Sequence, residues 1–287
     1  MTEIDFGSAT NFVWLNARLL DRLRFAYHFL DAGTELVLKA VVAYQNADGG
    51  FGNGLEPDIR APISQPQPVE VALRLLDELN AVDGQVVARA CDYLHSITTR
   101  EGGVPFVLPS VRDFPRAPWW ESGEDPAASV NPTAAIAGLL HKHGVDHPWL
   151  DPATAFCWRE IEDRDAFEQY HMVCVVTFLQ YAPSRNRASA AFQRMGRAIL
   201  EGGLVELDPA RANEFSPLTF AAAPDSLARR LFADEVIEAH LDGLARRQQP
   251  DGGPISWQPP SQLAELEWRG AVTVKALITL RAYGRLA

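Results

Sequence analysis

Glycine pairs recur along this chain at a nearly regular interval. They occupy positions 49–50, 102–103, 202–203 and 252–253. The intervals are 53, 100 and 50 residues, which correspond to one, two and one repeats of a period near fifty. A further pair is expected near residue 152, where HGVDHPWLDP (143–152) supplies a turn without it. Such a period is typical of arrays of supersecondary units, and 287 residues then accommodate about six of them.

The stretches before and after a glycine pair differ in their hydrophobic pattern. Residues 227–244 repeat apolar side chains at helical spacing with charges between them, which predicts an outer helix with one solvent face. Residues 270–284, GAVTVKALITLRAYG, are apolar nearly all round, which predicts an inner helix buried on most sides. Residues 11–30 repeat the outer pattern. The side chains expected to be buried there are Leu15, Leu19, Leu23, Ala26 and Leu30.

The predicted inner helices begin alike, with a polar residue before a proline. The three dipeptides are Gln67-Pro68, Asn131-Pro132 and Ser216-Pro217. Proline suits the first helical position because its missing N–H has no partner there in any case. The chain shows little period-two alternation and few β-branched runs. We therefore predict an all-α toroid, or barrel, of five or six helical hairpins around a central cavity, with residues 1–287 as a single domain.

The first glycine pair lies in a recognisable motif. Gln45-Asn46-Ala47-Asp48-Gly49-Gly50-Phe51 resembles the glutamine–aromatic repeat of the terpenoid cyclase and protein prenyltransferase superfamily of α/α toroids. Residues 248–257, QQPDGGPISW, form a looser second copy that ends at Trp257. The chain is also similar to uncharacterised actinobacterial proteins with squalene-cyclase-like repeats. The resemblance implies the toroid fold, and it implies that the glutamines tie adjacent helices together and are not catalytic.

The charge and the cysteines narrow the class of protein. The formal charge is −11 and no lysine–arginine run stands out, so nucleic acid and anionic membranes are poor partners. The N-terminal segment does not read as a signal peptide, and no apolar stretch is long enough to span a bilayer. Three cysteines among apolar neighbours fit reduced thiols, so we expect a cytoplasmic protein.

The loops that lead into the inner helices are unusually long, and long ordered loops are more often functional than structural. They cover 51–66, 104–131, 204–216 and 254–265. The first contains Glu56-Pro57-Asp58-Ile59-Arg60. Two neighbouring carboxylates beside an arginine can have different pKa values, so Asp58 and Glu56 are candidate catalytic acids, with Arg60 as a ligand contact. The alternative is a salt-bridged surface loop.

The second loop is predicted to be a rigid lid that carries Trp119 and Trp120. These rings bury either against the protein or against a ligand, where they stack on a sugar or, together with Phe51, shield a carbocation. Glu267, Trp268 and Arg269 enter the last inner helix and are candidates for the cavity mouth. The alternative for Glu267 is a favourable interaction with the helix dipole.

His171 and Cys174 lie three residues apart and share a helical face. Zinc needs more ligands, and the chain has no Cys-x-x-Cys and no Asp-x-Cys, the element that the resemblance implies for zinc-dependent prenyltransferases. His143 and His147 have the His-x-x-x-His spacing, but they border a turn and are interpreted as helix-end residues. The chain also lacks Asp-Asp-x-x-Asp, and residues 160–165 read as a solvated turn. We predict no metal and no cofactor. His171 is a candidate base or hydrogen-bond donor, and Asn131 and Tyr170 are candidate ligand contacts.

These residues and the resemblance together predict a terpenoid-cyclase-like enzyme for an apolar, isoprenoid-like small molecule. Asp58 or Glu56 would donate a proton, because protonation needs a carboxyl group that stays neutral. Two alternatives remain open. One is a carbohydrate-active enzyme that uses Glu56 or Asp58 opposite Glu267. The other is a non-catalytic toroid that binds a ligand or a protein. The lining of the cavity distinguishes them.

Overall fold

The structure is a computed structural model, and it describes residues 3–82, 84–211, 215–254 and 261–286. Across these ranges the chain forms helices and isolated β-bridges but no β-strand, so the all-α prediction is confirmed. The α-helices are α1 (Phe6–Asn16), α2 (Leu19–Phe29), α3 (Thr34–Val42), α4 (Pro66–Glu78), α5 (Gly84–Ser96), α6 (Val130–Lys142), α7 (Leu150–Glu162), α8 (Gln169–Tyr181), α9 (Arg185–Glu201), α10 (Pro217–Phe220), α11 (Asp234–Arg246) and α12 (Gln262–Ala282). None of these helices is long and apolar enough to cross a membrane.

The chain divides into two compact units. Unit 1 comprises residues 1–40 and 203–287, and unit 2 comprises residues 41–202. Unit 1 holds α1, α2, α10, α11 and α12, unit 2 holds α4 to α9, and α3 spans the boundary. The prediction of a single domain over residues 1–287 stays a prediction.

Helix α6 forms the core of unit 2. It packs against α4, α7 and α8, and residues 130–140 are all buried. Its alanines and glycine explain this position, because a Cβ added at Gly138 would lie 2.8 Å from the Cα of Phe178 and the carbonyl oxygen of Thr177. Only a residue without a side chain lets the backbones of α6 and α8 approach this closely.

At three of the four glycine pairs, a neighbouring helix packs closely against the backbone of the first glycine. Their first glycines have φ angles of 91°, 96° and 93°, and a Cβ at each would collide with a backbone oxygen of a neighbouring outer helix. The collisions are Gly49 with Arg89 of α5, Gly102 with Pro152 of α7, and Gly252 with Ser8 of α1. In the fourth pair the first glycine, Gly202, has a φ of −84°, and a Cβ there would meet Ala198 of its own helix α9 and not a neighbouring helix. Gly203 meets no atom within 4 Å in the described part of the chain. The 202–203 pair therefore repeats the sequence without the packing.

The glutamines of the two motif copies make equivalent hydrogen bonds. Gln45 Nε2 donates to the carbonyl oxygens of Gly49 and Val86, both at 2.9 Å. Gln248 Nε2 donates to the carbonyl oxygens of Gly252 at 3.0 Å and Asp5 at 2.9 Å. Each glutamine thus ties its glycine corner to an adjacent helix, as the resemblance implies. Trp257, predicted to close the second copy, lies outside the described residues.

The prediction of one outer helix over residues 11–30 is wrong. The helix is interrupted between Asn16 and Leu19, so α1 and α2 are separate helices. The leucines expected in the core are exposed instead: Leu15 by 82%, Leu19 by 61% and Leu30 by 50%.

The buried face of α2 carries an ion pair. Asp21 is fully buried, and both Arg18 Nε and Arg24 Nη1 donate to its carboxylate at 2.8 Å. Paired charges can be buried at a tolerable cost, whereas the hydrophobic pattern assigns Arg18 and Asp21 to solvent. Spacing alone does not reveal such a reversal.

The predicted start holds for α10 and is shifted for α4 and α6; α6 begins at Val130 after Ser129, so Asn131 and Pro132 lie inside its first turn. Ser216 caps α10 and Pro217 takes its first position, as expected. Helix α4 begins earlier than predicted, at Pro66 after Gln65, so Gln67 and Pro68 lie inside its first turn.

Candidate functional site

The N-terminal ends of α4, α6 and α8 meet in unit 2. Gln67 Nε2 of α4 donates to Asn131 Oδ1 of α6 at 3.0 Å. Ser129, the N-cap of α6, has its Oγ 3.3 Å from His171 Nε2 of α8. We call Gln67, Ser129, Asn131 and His171 the helix-start cluster. It brings two predicted site residues, Asn131 and His171, onto one polar patch.

The segment Glu56–Arg60 lies against residues 104–129, the loop that precedes α6. Its backbone pairs with that loop, because Ala117 N–H donates to the Asp58 carbonyl and Arg60 N–H donates to the Pro115 carbonyl, both at 3.0 Å. Glu56 and Asp58 are only 6% and 2% exposed. These carboxylates are therefore buried, which contradicts the surface position that the alternative interpretation gives this segment.

Two aromatic side chains of the 104–129 loop form what we call the aromatic wall. They are Phe106 and Trp120, whose rings stack with centroids 4.9 Å apart. Trp120 packs in an apolar cluster with Ile59, next to Asp58 in the chain, and the ring of His171 faces Phe106 at 6.3 Å. The wall thus lies between the buried carboxylate segment and the helix-start cluster.

The other predicted aromatic contacts fall elsewhere in unit 2. Trp119 is 48% exposed, and Tyr170 is 51% exposed in the first turn of α8. Phe51 is only 1% exposed, because it is enclosed in the glycine corner, where its backbone bridges to Gln45 and Gln65. Among the predicted aromatic residues described in unit 2, Trp120 packs with Ile59 of the carboxylate segment.

His171 is set up as a neutral imidazole. Burial lowers its pKa below the ordinary value, while Glu168, the N-cap of α8, opposes this shift. A neutral ring can accept a proton at Nε2. Ser129 Oγ accepts the Asn131 backbone N–H at 3.2 Å, so its own hydrogen is available for that nitrogen.

Helix α4 has a polar face that the sequence analysis did not predict. Gln67, Glu70 and Arg74 succeed one another at three- and four-residue spacing, and Arg74 Nε lies 2.7 Å from Glu70 Oε1. Burial acts to lower the pKa of Arg74, but the neighbouring carboxylate leaves this pKa raised. The signal was present in the sequence as polar residues at i, i+3 and i+7 within an otherwise apolar inner helix.

In unit 1, Arg269 is committed to the second glycine corner. Its Nη2 lies 2.7 and 2.8 Å from the Asp251 carboxylate oxygens, and its guanidinium stacks over Phe12 with 4.6 Å to the ring centroid. We therefore leave Arg269 out of the site that we propose. Glu267 and Trp268 are half-buried on α12, and their predicted roles stay predictions.

The described residues contain no group of three or more histidine, cysteine, aspartate or glutamate side chains placed to hold a metal ion. Cys91, Cys157 and Cys174 are free and buried. Burial raises the pKa of Cys91 to about 12 and also raises the pKa of Cys157 and Cys174, so all three remain thiols at neutral pH.

Comparison with solved structures shows the fold. A protein from Actinoplanes aligns with 97% of this chain and 98% of its own, with 17% identity and a TM-score of 0.61. The type II terpene cyclase MstE from Scytonema aligns with 98% of each chain, with 13% identity and a TM-score of 0.58. No family model and no curated protein matches the sequence. The chain thus has the all-α fold of a type II terpene cyclase, as the repeat predicts.

Proposed function

We propose that this protein is an enzyme that acts on an apolar, isoprenoid-like small molecule by acid–base chemistry. One observation carries the proposal. The buried carboxylates Glu56 and Asp58 are held in a segment whose Ile59 packs with Trp120 of the aromatic wall. The fold shared with a type II terpene cyclase supports the same class of substrate.

The proposed reaction begins with a proton. Burial disfavours the charged form of a carboxyl group, and so does a second carboxyl group two residues away. Asp58, with Glu56 beside it, gives its proton to an alkene carbon of the substrate, and a carbocation forms at the adjacent carbon. The faces of Trp120 and Phe106 stabilise that cation through their π systems. The reaction ends when the cation loses a proton to the neutral His171.

The acid in this proposal differs from the family motif. The chain has no Asp-x-Asp-Asp, so the acid is assigned to Glu56-Pro57-Asp58. The backbone pairing with Pro115 and Ala117 supports this assignment, because a proton donor has to be held in place. We further propose a cytoplasmic location, which suits three free thiols.

The test is turnover in deuterated water. Purified protein is incubated with farnesol, geranylgeraniol or squalene, and the products are analysed by gas chromatography with mass spectrometry. We expect a cyclised or isomerised product that carries deuterium at one carbon. Asp58→Asn should abolish it, whereas Asp113→Asn, which changes an exposed carboxylate of the 104–129 loop, should not.

Two results would contradict the proposal. Equal turnover in the wild type and Asp58→Asn would remove the assigned acid. Tight binding of an isoprenoid with no deuterium incorporation would instead favour the non-catalytic, ligand-binding alternative.

A further inference from the structure

We propose that Ser129, His171 and Asn131 form an acyl-transfer site that cleaves small esters. This activity goes beyond the proposed isoprenoid chemistry, since it needs neither Asp58 nor an alkene. Ser129 is the nucleophile, His171 the base, and the side-chain amide of Asn131 the oxyanion donor. All three belong to the helix-start cluster of unit 2.

The hydroxyl of Ser129 is oriented by its neighbours. Its Oγ accepts the Asn131 N–H at 3.2 Å and lies 3.3 Å from His171 Nε2. With a lone pair occupied by the backbone, its hydrogen can point at the imidazole.

The imidazole is held in place by an aromatic contact. The His171 ring lies nearly parallel to Phe106, with centroids 6.3 Å apart and planes 21° apart. Burial lowers the pKa of His171, which supports a neutral base, and the charges that act on it are Glu168 and Arg164. Glu168 raises this pKa and Arg164 lowers it.

Asn131 supplies a side-chain N–H donor. The side chain is 6% exposed, and its Oδ1 accepts from Gln67 Nε2 at 3.0 Å. Gln67 Nε2 also lies 3.3 Å from the Phe106 carbonyl, so the glutamine is itself anchored. This arrangement fixes the amide of Asn131, whose Nδ2 has no hydrogen-bond partner among the described residues. A preorganised donor of this kind stabilises an oxyanion.

The proposed reaction proceeds through an acyl-serine. Ser129 Oγ bonds to the ester carbonyl carbon, its proton passes to His171 Nε2, and the carbonyl π electrons move to the oxygen. The C–O bond to the alcohol then breaks, and the alcohol leaves with the proton from His171. Water attacks the acyl-serine with the same help, which releases the acid and restores Ser129 Oγ–H. The aromatic wall beside His171 selects esters with a small apolar or aryl group.

The experiment measures labelling and hydrolysis together. The full chain is treated with a fluorophosphonate probe and analysed by intact mass and peptide mapping, and p-nitrophenyl butyrate hydrolysis is followed by absorbance. We expect one label on Ser129 and saturable hydrolysis. Ser129→Asn keeps a capping side chain but no nucleophile, so it should lose the label and reduce hydrolysis about 100-fold or more. His171→Gln should slow both reactions by about 100-fold.

The matched control is Ser261→Ala. Ser261 caps the long helix α12 and is more exposed than Ser129, but among the described residues no histidine lies within hydrogen-bond distance of it. We expect Ser261→Ala to label and hydrolyse like the wild type. The proposal is overturned if the probe labels Ser261 or another serine in place of Ser129, or if folded Ser129→Asn hydrolyses the ester at the wild-type rate. Absence of both labelling and hydrolysis in the wild type also overturns it.

Discussion

The two glycine corners at residues 45–54 and 248–254 share one frame but end differently. In both corners, an aspartate accepts the backbone N–H of the second glycine, at 3.0 Å for Asp48 and 3.1 Å for Asp251. Asp48 is otherwise bonded to the hydroxyl of Ser64 at 2.7 Å, whereas Asp251 forms an ion pair with Arg269. The frame therefore serves the architecture in both places.

The two corners differ in the charged groups at their ends. After the first corner the chain continues into Glu56 and Asp58, which are buried and paired through the backbone with the 104–129 loop. In the second corner Asp251 is paired with Arg269, and Arg269 also donates to the Pro254 carbonyl. Both charges are therefore engaged in holding the corner together. A repeated turn thus indicates the fold, and the segment added after the first turn is where we propose function.

The largest expected effect comes from adding a side chain to the first glycine of either corner. Gly49→Ala and Gly252→Ala each place a Cβ against a backbone oxygen that cannot move away, at a positive φ. We expect each to lower the free energy of unfolding by about 3 kcal/mol or more, or to prevent folding. Urea unfolding followed by circular dichroism measures this.

Gly203→Ala provides the control for those substitutions. It has a positive φ of 68° but no collision within the described part of the chain, so it should cost only about 1 kcal/mol. An equal loss at Gly49, Gly203 and Gly252 would show that backbone conformation, and not close packing, explains the glycines.

The second prediction separates the functions of the two corners. Asp58→Asn should reduce the proposed isoprenoid turnover by about 100-fold or more with little change in the unfolding midpoint. Asp251→Asn should instead lower the free energy of unfolding by about 1 kcal/mol, because Asp251 is half exposed. Parallel turnover assays and thermal melts measure both. The comparison fails if Asp58→Asn loses stability as its main effect.

The third prediction concerns the glutamine ties. Gln45→Ala and Gln248→Ala each remove side-chain hydrogen bonds that join a corner to an adjacent helix. We expect similar losses of about 1 to 3 kcal/mol in the free energy of unfolding. Gln249→Ala is the control, since its amide donates to the carbonyl oxygen of Arg247, two residues before it, at the end of α11. A loss at Gln249 as large as at Gln248 would argue against a tying role.

The smallest expected effect is a pH dependence in both units. Burial lowers the pKa of His171 in unit 2 and of His240 in unit 1. Between each lowered pKa and the ordinary histidine value near 6.5, the unfolded chain binds more protons than the folded one. Stability is therefore complete above about pH 6.5 and falls as the pH drops towards the lowered values. Urea titrations at several pH values measure the slope.

Histidine variants identify the source of that slope. His171→Gln and His240→Gln should each flatten it slightly. If stability rises as the pH falls through this range, the predicted direction is wrong and other groups dominate.

Much of the fold could be predicted from the sequence, because its signals are local. The glycine spacing, the Gln-x-x-Asp-Gly-Gly motif and the apolar run of the last helix act through backbone conformation and nearest neighbours. The prediction failed for residues 11–30, where the helix is interrupted between Asn16 and Leu19. There a buried ion pair reversed the faces expected from spacing.

The sequence by itself determined that this chain builds helices around repeated glycine corners, and it singled out Glu56, Asp58, Asn131 and His171 as candidates. Only the tertiary structure decided which of them meet. Ser129 reaches His171 across 42 residues, and Gln67 reaches Asn131 across 64. Such contacts depend on how α4, α6 and α8 pack, and side-chain spacing within one helix carries no information about the register of its neighbours.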